Sequence, residues 1–371
     1  MRRLPLALAL CLSLALPRAG AESLPQNTPE IEVLYEADPQ GLVPEPTPAG
    51  PPPTPQVRAQ DVPRTGQPFV ITVGGDCSLG IQPGWEEKFD SFTTLVGAMG
   101  EAYPFSGIVG IFSRDDMTLV NLEGPLTHST DKQKRPVSLK GPPGYVRILQ
   151  QGSVEAVNLA NNHILDYGEE GKAETIATLD QAGIVHSGGA ETAIFQKGNI
   201  RVGMIGHSMP YNKNRLLDIS PQVRALRDAG CQIVIASFHW GSEYKYEFTR
   251  EQRQLARAAI DAGADVVVGH HPHVIQGIEK YKDRYILYSL GNLVFGGWLT
   301  PRDRDSFLAQ LTFYVDPDIF GQQAPPQLSL LPVLITDQTK GTDYRPVLPD
   351  EHESDRILRK ILQKSSNMND F

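Results

Sequence analysis

The stretch Val267–Gly277, VVGHHPHVIQG, sets the reading of the chain. It continues the apolar run Ala264-Asp265-Val266-Val267-Val268, whose β-branched residues predict a buried strand. Three imidazoles, His270, His271 and His273, then leave that strand together. Histidines clustered at a strand end are metal-ligand candidates, and equally they form polar turns exposed to water, because so short a cluster is a compositional hint. The residues upstream decide between the two readings.

Working outward, the chain repeats one pattern. Phe69–Val73 is a β-branched run ending in Gly74-Gly75, where glycine lets the backbone turn and display Asp76. Met117–Val120 ends in Asn121-Leu122-Glu123, and Val154–Ala160 ends in Asn161-Asn162-His163. Further strands are predicted at Arg201–Ile205, at Gln232–Phe238 before His239-Trp240-Gly241, and at Asp265–Val268. Helices are predicted between them. One spans Gly168–Ala182 with Gly183 as its stop, one spans Pro221–Ala229 with Ser220 as cap, and one spans Thr249–Ala262 with Thr249 capping and Gln252 three residues on. Strand alternating with helix implies crossover connections and a largely parallel core. Past Gln276 the runs Tyr285–Leu290, Ser306–Val315 and Leu328–Ile335 read as successive antiparallel additions, and Glu351–Gln363 as a final amphipathic helix.

Open α/β sheets place ligands at the carboxyl ends of their strands. There this chain offers Asp76, Glu123, Asn162, His163, His239, His271 and His273, the oxygen and imidazole donors that first-row divalent metals prefer. Such a set can hold a pair of cations around a bridging carboxylate, with a remaining histidine to protonate a leaving oxygen.

In order, GGDCSLG (74–80), VNLEGPL (120–126), NLANNHILDYG (158–168), FHWG (238–241), GHHPHVIQG (269–277) and YSLGNLVF (288–295) resemble the signature of the bacterial CapA/PgsA family of capsule and poly-γ-glutamate synthesis proteins. That family is similar to the calcineurin-like metallophosphoesterases. The resemblance implies an α/β fold, the four-layer α/β/β/α sandwich, and one or two divalent ions of the Mn, Fe, Zn or Mg class. It implies Asp76 and His273 on a first ion, Glu123 bridging, and Asn162, His239 and His271 on a second. His163 would contact the phosphoryl group or its leaving oxygen, Asp166 would orient His163, and His270 would be left over. It implies metal-dependent phosphoester hydrolysis, or a non-catalytic accessory role in binding nascent polymer. The implied partners are an anionic polymer or phosphoester substrate and membrane-bound capsule or polyglutamate synthesis machinery. Two positions depart from the superfamily pattern: Ser78 stands where Asp-x-His has its histidine, and Asn121-Leu122-Glu123 stands where Gly-Asp is usual. Strand alternation points Cys77 away from Asp76, toward burial.

The rest of the chain frames this site. The net charge of −9 and the absence of a dominant basic cluster argue against nucleic acid. Residues 1–21 have the layout of a secretory signal: Arg2 and Arg3, an apolar stretch Leu4–Leu16, then Ala19-Gly20-Ala21 before a cleavage point. The alternative is retention as an anchor, although the stretch falls short of the ~20 residues that span a bilayer. Such a signal implies export to the periplasm or beyond, and the resemblance implies association with the cell envelope. Residues 22–68 are dense in proline and predict an extended, disordered linker, 69–337 the folded domain, and 338–371 a C-terminal extension with a helix. Cys77 and Cys231 permit a disulfide but read as buried thiols. The basic run Lys132, Lys134, Arg135 and Lys140 reads as a solvated loop or an anion contact. Trp240, Tyr244 and Tyr246 read as core packing or as a wall for a sugar or apolar ligand.

Overall fold

The computed structural model describes residues 66–208, 216–316 and 323–366. The signal-like segment 1–21 and almost all of the proline-rich stretch 22–68 lie outside the described residues. In chain order the elements are β1 (Gln67–Ser78), α1 (Phe92–Met99), α2 (Val109–Phe112), β2 (Met117–Leu122), α3 (Val146–Gln151), β3 (Ala156–Asn158), α4 (Gly168–Ala182), β4 (Val185–Ser187), β5 (Ala193–Lys197), β6 (Ile200–Ser208), α5 (Leu216–Asp228), β7 (Ile233–His239), α6 (Arg250–Asp261), β8 (Val266–His270), β9 (Ile278–Tyr281), β10 (Arg284–Leu287), β11 (Asn292–Phe295), β12 (Asp305–Val315), β13 (Gln327–Leu334) and α7 (Glu351–Ser366).

Two sheets result. The first runs β13-β12-β1-β2-β3-β4 with β11 also paired to β1, and the second runs β5-β6-β7-β8-β10-β9. Their centres are parallel, as the strand–helix alternation predicts, and β12, β13, β5 and β9 add antiparallel edges. Side chains alternate along a strand, and here the alternation sorts residues between layers. On β7, Ile233 and Ile235 enter the core between the sheets, while Val234, Ala236 and Phe238 pack outward beneath α5 and α6. On β1, Phe69, Ile71 and Val73 face inward, and the outer face of that sheet is covered by α1 to α4. Three apolar layers between four structural layers make the α/β/β/α sandwich that the resemblance implies. Each fully buried Ile, Leu or Val contributes roughly 1.5–3 kcal/mol over exposure. From the segment set apart as a C-terminal extension, α7 lays Ile357 and Ile361 into the inter-sheet core.

Local signals hold at several element ends. Thr249 and Gln252 form the expected reciprocal capping box of α6, and Gly183 closes α4 in the left-handed conformation. Three expectations are corrected. Gly74 and Gly75 do not turn the chain but stay in β1, where β11 approaches so closely that a Cβ on Gly75 would lie 2.1 Å from the Gly291 carbonyl oxygen. Helix α5 starts before Pro221 and carries it inside, because Ile219, Val223 and Leu226 form one buried stripe whose packing outweighs the lost backbone donor. The run read as one strand to Leu290 leaves the second sheet at Leu287, and the chain crosses to pair as β11 with β1.

A candidate metal centre at the strand ends

Both sheets deliver polar side chains to one end of the sandwich. Asp76 comes from β1 and is fully buried. Its Oδ1 accepts from Asn121 Nδ2 at 2.8 Å, and its Oδ2 accepts from the His271 backbone N–H at 3.1 Å. Glu123 follows β2 directly, and its backbone N–H is tied to the Cys77 carbonyl at 2.7 Å. Its carboxylate sits at the centre of the cluster: Oε1 is 3.7 Å from His239 Nε2, 3.9 Å from His163 Nε2 and 3.9 Å from His273 Nε2. Donor atoms of Asp76, Glu123 and His239 lie within 4.8 Å of one another, and so do those of Glu123, His271 and His273. Asn162 Oδ1 meets His239 Nε2 at 2.7 Å. All eight residues singled out in the sequence therefore converge, Asp166 through His163.

The HHPH turn is shaped to do this. His271 and His273 both take positive φ, 95° and 55°, a conformation L-residues rarely adopt, so the turn is held by its contacts. His273 is fixed by Asn292 Oδ1, 2.8 Å from its Nδ1. His163 Nδ1 lies 2.6 Å from Asp166 Oδ2. A carboxylate only accepts, so this bond places the proton on Nδ1 and leaves Nε2 toward Glu123.

Electrostatics separates the groups. Burial raises the Asp76 pKa, but the His273 bond and the charges of His270, His273 and His239 outweigh it and keep the carboxyl well below the usual range. Burial pushes Glu123 up to about 7 against the pull of His273. His273 is driven to about 9, its own burial being overcome by Glu123 and by bonds to Asp76 and Asn292. Burial holds His239, His270 and His271 below the ordinary histidine value, the neutral form that ligates metals. His163 is raised, because Asp166 and Glu123 together outweigh burial.

Whether the residues fit a divalent cation is decided by their unsatisfied atoms. Both Glu123 carboxylate oxygens, both His270 ring nitrogens and His271 Nδ1 are buried without a hydrogen-bond partner among the described residues. Buried polar atoms are nearly always paired, so such a cluster of oxygen and nitrogen lone pairs fits a cation. Ser78 Oγ is likewise buried and unpartnered. Cys77 packs into the outer apolar layer with Val120 and Leu122, burial pushing its thiol up to about 12, and Cys231 is a buried free thiol.

Sequence reasoning missed the supports. Asn158 Nδ2 donates to Asn121 Oδ1 at 2.9 Å, extending the chain of amides behind Asp76. Asn161 Nδ2 donates to the Leu122 carbonyl at 2.7 Å, and its Oδ1 accepts from the His163 backbone at 3.1 Å. Arg135, one of the loop cations, donates to Asp166 Oδ1 at 3.0 Å and to the Asn162 carbonyl. Trp240 is buried core, its Nε1 bonded to the Tyr288 carbonyl, while Tyr244 stands at the mouth with its ring 6.3 Å from that of His273. His128, His186 and His352 pair with Glu174, Asp180 and Glu353 respectively, away from the centre. His207 bonds Gln222 and lines a cavity of about 600 Å³ beside Asn161.

Fold and site together define a four-layer α/β/β/α protein with a buried cluster of candidate metal donors at its strand ends. Residues 70–297 match the family described as "Bacterial capsule synthesis protein PGA_cap", and the chain belongs to that family. It is 29% identical over 275 residues to "Capsule biosynthesis protein CapA" of Bacillus anthracis, covering 67% of this chain and 64% of that one, just under two thirds of the relative's length. It is 31% identical over 287 residues to "PGA biosynthesis protein CapA" of Bacillus subtilis, covering 71% and 72%. Among solved structures it is similar to a phosphatase from Mycoplasma pneumoniae, at 12% identity, 73% and 95% coverage and a TM-score of 0.47. The fold assignment rests on the layers and strand order above.

Proposed function

We propose that this chain is an exported cell-envelope protein of capsule or poly-γ-glutamate synthesis that hydrolyses a phosphoester with divalent cations. One observation carries the reading: the Glu123 carboxylate is buried among imidazoles with neither oxygen hydrogen-bonded. By the resemblance Asp76 and His273 would hold one ion, Asn162, His239 and His271 the other, and Glu123 both; the close donor triads, Asp76–Glu123–His239 and Glu123–His271–His273, share Glu123 in the same way but exchange the two histidines. Bound there, the ions would neutralise the anionic substrate and acidify a water near neutral pH. The protein's own part is proton delivery. With Nδ1–H committed to Asp166 and its pKa raised, His163 in its imidazolium form presents Nε2–H to the cleft, where it would give that proton to the leaving oxygen and remain as the Nδ1–H tautomer. Arg135 and the Leu139 backbone hold Asp166 in turn. The names of the relatives support the envelope role, and the signal-like start supports export.

The second reading is a non-catalytic accessory that binds nascent poly-γ-glutamate or capsular polysaccharide. Ser78 in place of an imidazole favours it, as does a Mycobacterium tuberculosis relative, 31% identical over 211 residues, whose name is "Probable polyglutamine synthesis accessory protein". Metal content and hydrolysis of a generic phosphoester separate the two. Two ions and turnover that His271→Ala and Asn162→Ala abolish support the enzyme. Full turnover in either variant refutes the assigned site, and one ion or none with oligo-γ-glutamate binding intact supports the accessory.

A further inference from the structure

The metal reading leaves the first ion one imidazole short at Ser78, and the structure brings an extra imidazole to the same carboxylate. His270 ends β8 in register with His239 on β7, so the two rings leave the same face of the sheet at the same end. The His270 ring is 1% exposed. Neither of its nitrogens has a hydrogen-bond partner among the described residues. Its Nδ1 lies 3.6 Å from Asp76 Oδ1. Two donors at ~2.1 Å from one tetrahedral ion stand ~3.4 Å apart, so this spacing suits a shared ion better than a hydrogen bond. A buried imidazole with both nitrogens unsatisfied is a net cost to the metal-free fold, which an ion would offset.

We infer that His270 joins Asp76 on one ion and supplies there the imidazole that position 78 lacks. The inference rests on the metal reading of the centre and replaces the expectation that His270 is left over. Asn121, donating to Asp76 Oδ1 from the neighbouring strand, fixes the carboxylate that His270 faces.

The test is calorimetric titration of the metal-stripped full-length protein with Mn²⁺, with bound metal counted by mass spectrometry. Wild type should take two ions. His270→Leu should weaken one of them at least tenfold and leave the other unchanged, and adding Ser78→His to that variant should restore the lost affinity. In chelator, His270→Leu should melt no lower than wild type. Two ions bound with wild-type affinity by His270→Leu would overturn the inference while leaving the metal reading intact. A melting temperature lowered equally with and without metal would make His270 merely structural and also overturn it. A wild type that takes no ion would remove the metal reading itself.

Discussion

Asp166→Asn is the change whose cost the structure specifies most closely. Asp166 is fully buried and accepts three hydrogen bonds. Oδ2 takes the Leu139 backbone N–H at 2.7 Å and His163 Nδ1 at 2.6 Å, and Oδ1 takes Arg135 Nη1 at 3.0 Å. An amide has the same shape but only one accepting oxygen. If that oxygen faces Leu139 and His163, the NH₂ faces the guanidinium; if it faces Arg135, the NH₂ faces two donors. Either way a buried donor is stranded, at about 1–3 kcal/mol, and the bonds that remain lose their charge assistance. We expect a loss of about 2–3 kcal/mol, read as a fall in melting temperature of about 5 °C for a domain of this size. The same change frees the His163 tautomer, and turnover of a phosphoester should fall by about 10²–10⁴ with metal binding retained. Thermal melts and steady-state kinetics on the purified variant check both. A variant that melts and turns over like wild type would refute the role given to the Asp166–His163 pair.

Three further outcomes are expected. Gly75→Ala forces a Cβ to 2.1 Å from the Gly291 carbonyl oxygen, backbone against backbone, so it should cost more than about 3 kcal/mol in urea unfolding. Burial pushes the Asp115 carboxyl up to about 7, with Thr72 and Thr118 opposing and Glu155 and Asp116 assisting. Between the ordinary carboxylate value and 7 the folded state keeps a proton that the unfolded chain releases, so this group's contribution to stability falls as pH rises through that window. The melting temperature of Asp115→Asn relative to wild type should therefore climb from pH 5 to pH 8, and a flat difference would contradict the assignment. Chelation should lower the melting temperature of wild type and Mn²⁺ restore it, by about 2.7 kcal/mol at a hundred times the dissociation constant; a melt indifferent to both would mean that the fold does not couple to the ion.

Much of the molecule was legible because its signals are local. The apolar runs of β2, β7 and β8, the capping box at Thr249 and Gln252 and the stop at Gly183 each lie within a few residues of one another in the chain. The candidate residues were legible for a related reason: parallel strands share an end, so a polar residue that closes an apolar run is delivered to the same place as its counterparts. What escaped notice depends on partners far away in sequence. Gly75 looks like a turn until Gly291 is beside it, more than two hundred residues on. Asn121, Asn158 and Asn161 carry no signal of their own until their bonds to Asp76, Leu122 and one another are seen. Arg135 sits in a basic run that suggests solvent or an anion, and its guanidinium instead braces Asp166. β11 is four residues long and is defined by the strand it joins.

A two-ion centre at Glu123 is open to anomalous diffraction from crystals of the full-length protein grown with Mn²⁺. Manganese peaks are expected on both sides of the Glu123 carboxylate, one of them against Asp76 and His270. Saturating Mn²⁺ with no peak at Glu123 would contradict the metal reading.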